Sequence, residues 1–168
     1  DLLSDYCKKI ELDITDTQLQ QFDDYYRFLV EKNKVMNLTT IIEKEDVVLK
    51  HFIDSIYIMK YTDFDEKKVI DIGTGAGFPG IPLAIMNPQT SFVLLDSLNK
   101  RINFLNEVCN LCNLSNVITI HGRAEEISRK EEYREKFDYV VSRAVANMST
   151  LLEYCTPFLK VGGQFISY

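Results

Sequence analysis

The sequence predicts an α/β fold, a doubly wound and mostly parallel sheet with a helical extension at its N-terminus, and three observations predict it. From about residue 67 onward the chain alternates strand, turn and helix. The first 62 residues instead show only helical periodicity. Between the two patterns, the first strand-like run opens directly into a glycine-rich turn. Alternation of this kind specifies a parallel sheet covered by helices on both faces, with right-handed crossovers.

Taken in order, Thr15 and Gln18 have the spacing of a helix capping box. Behind them Leu19, Phe22, Tyr26, Leu29 and Val30 recur on one helical face. The stretch 33–40 is polar and reads as irregular, and a further helix is expected over about 46–59, with Val48, Phe52, Ile56 and Met59 on one side. Strand-like runs follow at 67–72, 91–96, 117–121, 137–142 and 164–168, with helical patterns at 79–86, 100–112, 124–130 and 147–159. These divide the chain into an N-terminal helical segment, 1–62, packed on an α/β core, 63–168. Gly162-Gly163 reads as a turn before the last strand. A sheet ending on a freshly started strand leaves an open edge, so further strands are expected beyond Tyr168. The opening Asp1 likewise points to residues upstream.

Composition narrows the function classes. The chain has 168 residues, 46% hydrophobic and 26% charged, the balance of a domain with a proper core. No run approaches the roughly 20 apolar residues of a membrane helix, and no basic-then-apolar leader opens the chain, so a cytoplasmic location is expected. Cys109 and Cys112 form a C-x-x-C, but no second pair completes a four-ligand zinc site, and both lie in a helix with apolar periodicity. They read as core thiols, and no metal is expected. The net charge of −6 argues mildly against a nucleic-acid partner. Lys and Arg are nonetheless grouped, as Arg27, Lys32 and Lys34, as Lys100 and Arg101, and as Arg123, Arg129 and Lys130, but each group alone reads as a solvated helix face and charge does not decide the matter.

The run Val69-Ile70-Asp71-Ile72-Gly73-Thr74-Gly75-Ala76-Gly77-Phe78-Pro79-Gly80 carries the strongest signal. Glycines let the backbone turn tightly and admit a ligand without meeting a Cβ, and amides at a helix start suit an anionic group. Gly75-x-Gly77-x-x-Gly80 fits the dinucleotide fingerprint, a weak match alone. Asp71-x-Gly73-x-Gly75-x-Gly77 instead resembles the first motif of S-adenosylmethionine methyltransferases. The acid favours this second reading, because a carboxylate at the strand end repels a pyrophosphate and attracts a methionyl ammonium. Asp96 ends the next strand 21 residues after Gly75, where a carboxylate can accept both ribose hydroxyls. A helix N-cap from Asp96, Ser97 or Asn99 is the structural alternative. Arg123-Ala124-Glu125 and Ser142-Arg143-Ala144 follow later strands, on the edge where such sheets bind ligands.

Together these residues resemble the small-subunit ribosomal RNA guanine-N7 methyltransferases, the glucose-inhibited division protein B family. The resemblance rests on residues 71–82, DIGTGAGFPGIP, with the unusual Phe-Pro-Gly-Ile-Pro continuation. It also rests on Asn37-Leu38-Thr39, His51-Phe52-Ile53-Asp54-Ser55, Arg123-Ala124-Glu125 and Ser142-Arg143-Ala144-Val145-Ala146, in the family's order and spacing. It implies a Rossmann-like methyltransferase core with S-adenosylmethionine as cofactor and ribosomal RNA as substrate. Gly73, Gly75 and Phe78 would serve the cofactor from the loop, Asp96 its ribose, and Ala124 and Glu125 its adenine. Arg143 would reach cofactor or nucleotide. Asp96 stands where relatives often carry Glu, and the family continues past the position of Tyr168 with a lysine-glycine and more strands. No catalytic base is implied, since guanine N7 has a lone pair and no proton to lose; alignment for in-line transfer is the main requirement. The base must be presented unstacked. Asn37 and His51 are candidates to face the substrate, and His51 and Asp54, three apart on one helical face, are placed to pair; the alternative, open for Asn37 as well, is a structural role joining the N-terminal helices to the sheet. A monomer is expected. The competing functions are methyl transfer to another substrate, a non-catalytic ribosome-assembly module that binds the same cofactor, and a nicotinamide-dependent dehydrogenase.

Overall fold

Capping sets the N-terminal segment of the computed structural model, which describes residues 1–143 and 147–168. Helix α1 (Leu2–Lys9) starts at Asp1, whose carboxylate accepts the Leu3 and Ser4 amides. Helix α2 (Asp16–Met36) opens with the expected capping box: Gln18 N–H donates to Thr15 Oγ1 at 3.1 Å, and Thr15 N–H donates to Gln18 Oε1 at 2.9 Å. It runs on through Met36, into the stretch read above as irregular, and stops at Asn37 in the left-handed region, φ 51°. Asn tolerates that conformation better than most residues, and it closes the helix here as glycine often does. The next helical stretch is longer than expected and not uniform. Helix α3 (Lys44–Val47), a π-helical turn at Val48–Ile53, helix α4 (Asp54–Ile56) and a 3₁₀ turn at Tyr57–Lys60 follow one another directly.

The alternating half contains β1 (Lys68–Ile72), α5 (Gly80–Met86), β2 (Ser91–Asp96), α6 (Asn99–Leu111), β3 (Val117–His121), α7 (Ala124–Ile127), β4 (Phe137–Ser142), α8 (Met148–Cys155) and β5 (Leu159–Ser167). The strands lie in the order β3-β2-β1-β4-β5, every neighbouring pair parallel. Strands β2, β3 and β4 match their expected bounds. Helix α7 ends at Ile127, three residues short, and the following residues form turns. Strand β5 begins at Leu159, ahead of the glycine pair read as a turn. Its register passes from Phe137↔Leu159 to Tyr139↔Gln164, so Gly162, at φ 85°, and Gly163 form a bulge inside the strand rather than its boundary.

Side chains alternate across the sheet and divide the core by face. Ile70, Ile72, Val93, Leu95 and Val140 pack with Ile127, Phe137, Cys155 and Phe158 on one side. On the other, Leu94 joins Ile81, Ile85, Ile102, Leu105 and Val108 together with Leu3, Phe22, Tyr25, Leu29, Phe52 and Ile56 of the N-terminal segment. The N-terminal helices therefore share one hydrophobic cluster with α5 and α6. Each large side chain buried there contributes about 1.5–3 kcal/mol by transfer from water. Among the described residues no helix is long and apolar enough to cross a membrane.

Candidate functional site

From β1 the chain steps outward to β2 and β3, then returns to place β4 on the other side of β1. That reversal opens a crevice at the carboxyl ends of β1 and β4, where open α/β sheets hold their ligands. The glycine-rich loop leaves β1 at this point, Asp96 closes β2 beside it, and Arg143 follows β4.

The loop is pinned from several directions. The Gly73 and Thr74 amides donate to Leu95 O, tying the loop to the end of β2. The Gly75 amide donates to Asp96 Oδ2 at 2.9 Å. Asp71 is fully buried beneath the loop, and its Oδ2 accepts both the Thr74 hydroxyl (2.8 Å) and the Gly80 amide (2.9 Å). Burial pushes its carboxyl up to about 8, only partly opposed by those two hydrogen bonds. Asp71 is therefore not the strand-end anion, open to a methionyl ammonium, that the sequence predicts. This acid is a buried tether of the loop and does not line the neighbouring cavity. The tight turn needs glycine at Gly77, at φ 101°, where an added Cβ would stand 2.6 Å from Ile81 and 2.7 Å from the Tyr25 hydroxyl.

A cavity of about 290 Å³ lies against the loop. Ile72, Leu95, Ala124, Leu151 and Tyr154 give it apolar walls; Gly73, Gly122, Asp96, Ser97, Arg123 and Glu125 complete its lining. Asp96 is 3% exposed, and its Oδ1 accepts the Leu98 amide at 3.0 Å. Arg101 Nη1 stands 3.6 Å from Oδ2. A carboxylate offers about four lone-pair sites, so one further donor can approach each oxygen, as many as a ribose diol presents. Asp96 is not a helix cap: α6 has Leu98 at that position, with no side-chain cap bond. The arrangement suits an adenosine-like group, with the flat apolar part against Ala124, Leu151 and Tyr154 and the diol at Asp96.

Four of the seven predicted cofactor residues, Gly73, Asp96, Ala124 and Glu125, line this cavity, and Gly75 is joined to it through its bond to Asp96. Phe78 and Arg143 lie on the opposite flank of the loop. There Phe78 packs against Tyr25, Phe52 and His51, the His51 ring stacked on it at 4.3 Å and 11°. Arg143 donates from Nη2 to Asp54 Oδ2 at 2.5 Å and to Ser55 Oγ at 3.2 Å, and from Nη1 to His51 Nδ1 at 3.0 Å. Its guanidinium also stands over the Phe78 and Tyr168 rings, while its Nε is buried with no hydrogen-bond partner among the described residues. Arginine can only donate, so His51 is a neutral imidazole that accepts at Nδ1 and donates from Nε2 to Thr39 Oγ1 at 2.9 Å. Burial and the adjacent Arg143 push His51 down to about 4, with Asp54 opposing. His51 and Asp54 are thus brought together by a shared cation. Asn37 is exposed at the end of α2. Ala144, Val145 and Ala146 of the predicted motif lie outside the described residues.

Leu151 and Tyr154 of α8 are cavity residues that the sequence reading missed; their only signal is a position one helix beyond β4. Cys112 is buried and Cys109 half-buried, and burial pushes the thiols up to about 12 and about 11. Among the described residues no group of three or more His, Cys, Asp or Glu is placed to hold a metal ion.

The family model for rRNA small subunit methyltransferase G matches residues 18–168. The chain is 52% identical to the ribosomal RNA small subunit methyltransferase G of Desulforamulus reducens, over 98% of this chain and 69% of that protein. It is 53% identical to its counterpart in Lachnoclostridium phytofermentans, over 96% of this chain and 67% of that one. Among solved structures, the M. jannaschii TYW2 in complex with AdoMet superposes with a TM-score of 0.55 at 23% identity, covering 72% of this chain and 51% of that one, a likeness of fold.

Proposed function

Since the chain belongs to the rRNA small subunit methyltransferase G family, we propose that it is an S-adenosylmethionine-dependent enzyme that methylates N7 of a guanine in small-subunit ribosomal RNA. The observation that carries the cofactor half of this reading is the junction of the glycine loop with Asp96, where the Gly75 amide and a buried carboxylate with spare lone pairs meet at one cavity. Gly73 and Gly75 would hold the cofactor from the loop, Asp96 its ribose, and Ala124 and Glu125 its adenine. Leu151 and Tyr154 add an apolar wall.

When bound, the cofactor supplies an electrophilic methyl group. The nucleophile would be a guanine nitrogen with a free lone pair, so the chain need supply no base. Its work is to hold the reactants in line and keep the site shaped, which accounts for large rate gains without acid–base groups. Arg143 is already held by Asp54, His51 and Ser55, and from there it can present a cation toward the crevice mouth. His51, fixed as the Nε2–H tautomer, fits a positioning role on this flank better than proton transfer. Asn37 on the neighbouring turn is exposed and free to meet the substrate.

The test is transfer of labelled methyl from S-adenosylmethionine to small ribosomal subunits that lack native N7 methylation. Label on guanine N7 is the expected outcome. Cofactor binding without label on RNA would remove the ribosomal substrate and leave a different acceptor.

A further inference from the structure

A fully buried tyrosine in the middle of α2 reaches the back of the glycine loop. Tyr25 has no exposed surface, yet its hydroxyl donates to the Ala76 carbonyl at 2.5 Å. A buried hydroxyl without a partner is costly, so this bond is what lets a tyrosine, rather than a phenylalanine, occupy the position. The ring is held in place as well: it stacks on Phe52 at 5.6 Å and 27°, and on Phe78, itself part of the loop, at 5.5 Å and 29°. Phe22 in turn packs against Phe52, its ring centroid 4.9 Å away. The fit leaves no slack, since a methyl group at Gly77 would come within 2.7 Å of the Tyr25 hydroxyl. On the cavity flank the same loop is held by Asp96 through the Gly75 amide. Ala76 lies between that attachment and Gly77. The stretch of loop that follows Gly73 at the cavity wall is therefore gripped from front and back, and the rear grip comes from the N-terminal helical segment.

We infer that Tyr25 is a positioning residue for cofactor binding, bracing the glycine loop from behind although it lines no part of the cavity. This rests on the reading of the cavity as the S-adenosylmethionine site. Without the brace the loop samples more conformations, and binding must order them first, which weakens affinity without altering the aligned complex once formed.

Tyr25→Phe removes only the hydroxyl. It is expected to raise the calorimetric Kd for S-adenosylmethionine about 3- to 10-fold. The KM for the cofactor should rise in parallel, with kcat at saturating cofactor within about twofold of the wild type. Leu29→Ala serves as the comparison, because Leu29 is buried on the same helix and belongs to the same core. It should lower Tm and leave the Kd of the folded protein unchanged. If Tyr25→Phe lowered Tm while Kd stayed at the wild-type value, the brace would be overturned and Tyr25 would be core packing alone. Should Tyr25→Phe fail to fold, Phe52→Leu, which keeps the hydroxyl but loosens the ring stack, carries the same expectation on Kd. A wild-type chain that bound no S-adenosylmethionine would remove the cofactor reading itself, an outcome distinct from equal binding by wild type and variant.

Discussion

Asp96 spends one lone pair on the Gly75 amide and one on the Leu98 amide, yet it remains at the cavity wall with capacity for two more donors. Replacement by Asn keeps the size and one acceptor but loses the charge. Charge-assisted hydrogen bonds are worth roughly twice neutral ones, so Asp96→Asn is expected to raise the Kd for S-adenosylmethionine about 10- to 100-fold with the fold retained, checked by calorimetry and circular dichroism. Two other buried groups give opposing pH dependences. His51 has a folded-state value near 4, below the ordinary 6.5, so its contribution is present at neutral pH and is lost as pH falls from 6.5 towards 4. Asp71 has a folded-state value near 8, above the ordinary 3.8, so its contribution is present at low pH and declines as pH rises from about 4 to 8. Between 4 and 6.5 the two slopes cancel, and between 6.5 and 8 only the decline remains. His51→Gln should expose a fall in stability across the lower window. Asp71→Asn should expose a rise there and flatten the upper one, each slope at most about 1.4 kcal/mol per pH unit, measured by urea unfolding. At this scale the sequence shows residue types and spacings but not partners. His51 and Asp54 read as a pair from their three-residue spacing, whereas the cation that joins them lies 89 residues beyond Asp54.

Among the elements, the glycine loop was the most legible, because a hydrophobic strand, four glycines and a proline leave few other conformations open. The strands were legible for a similar reason: runs such as Ser91–Asp96, nearly all buried, have no polar face to suggest anything else. The π-helical turn was not. Periodicity near 3.6 does not register one extra residue per turn, and that turn is what carries His51 and Phe52 to Phe78. Gly162-Gly163 was misread as a strand boundary because glycine pairs signal turns and bulges alike. Gly80, where the loop meets α5, shows how tightly the element is packed. An added Cβ would lie 2.3 Å from Leu94 and 2.8 Å from the Asp71 carboxylate that accepts the Gly80 amide. Gly80→Ala is therefore expected to cost about 1–3 kcal/mol in chemical denaturation, and to weaken cofactor binding because the Asp71 tether must shift.

For the molecule as a whole, the cluster that contains Leu94 also contains side chains from α1, α2 and the π-helical turn. The boundary near residue 62 marks a change of sequence pattern, and the hydrophobic core continues across it. Thermal unfolding should accordingly follow one transition, with far-ultraviolet circular dichroism and tyrosine fluorescence sharing a midpoint. Leu94→Ala should lower stability by about 2–5 kcal/mol without splitting that transition. Two separate midpoints would show that the N-terminal helices are stable on their own. The strand order was anticipated only as a class, since alternation specifies a parallel doubly wound sheet but not which strands neighbour which. The side of β1 taken by β4 sets the crevice, and local sequence does not encode it.

The grip between Arg143 and Asp54 also has a consequence for how the chain is made. At synthesis rates of about 5–20 residues per second, Arg143 is added on the order of ten seconds after Asp54. Ala76, the acceptor for the Tyr25 hydroxyl, arrives 51 residues after its donor. During translation, Phe22, Tyr25 and Phe52 thus precede the loop and sheet that will cover them. The aromatic side chains of the N-terminal segment must therefore wait for that interval before the core that buries them is complete.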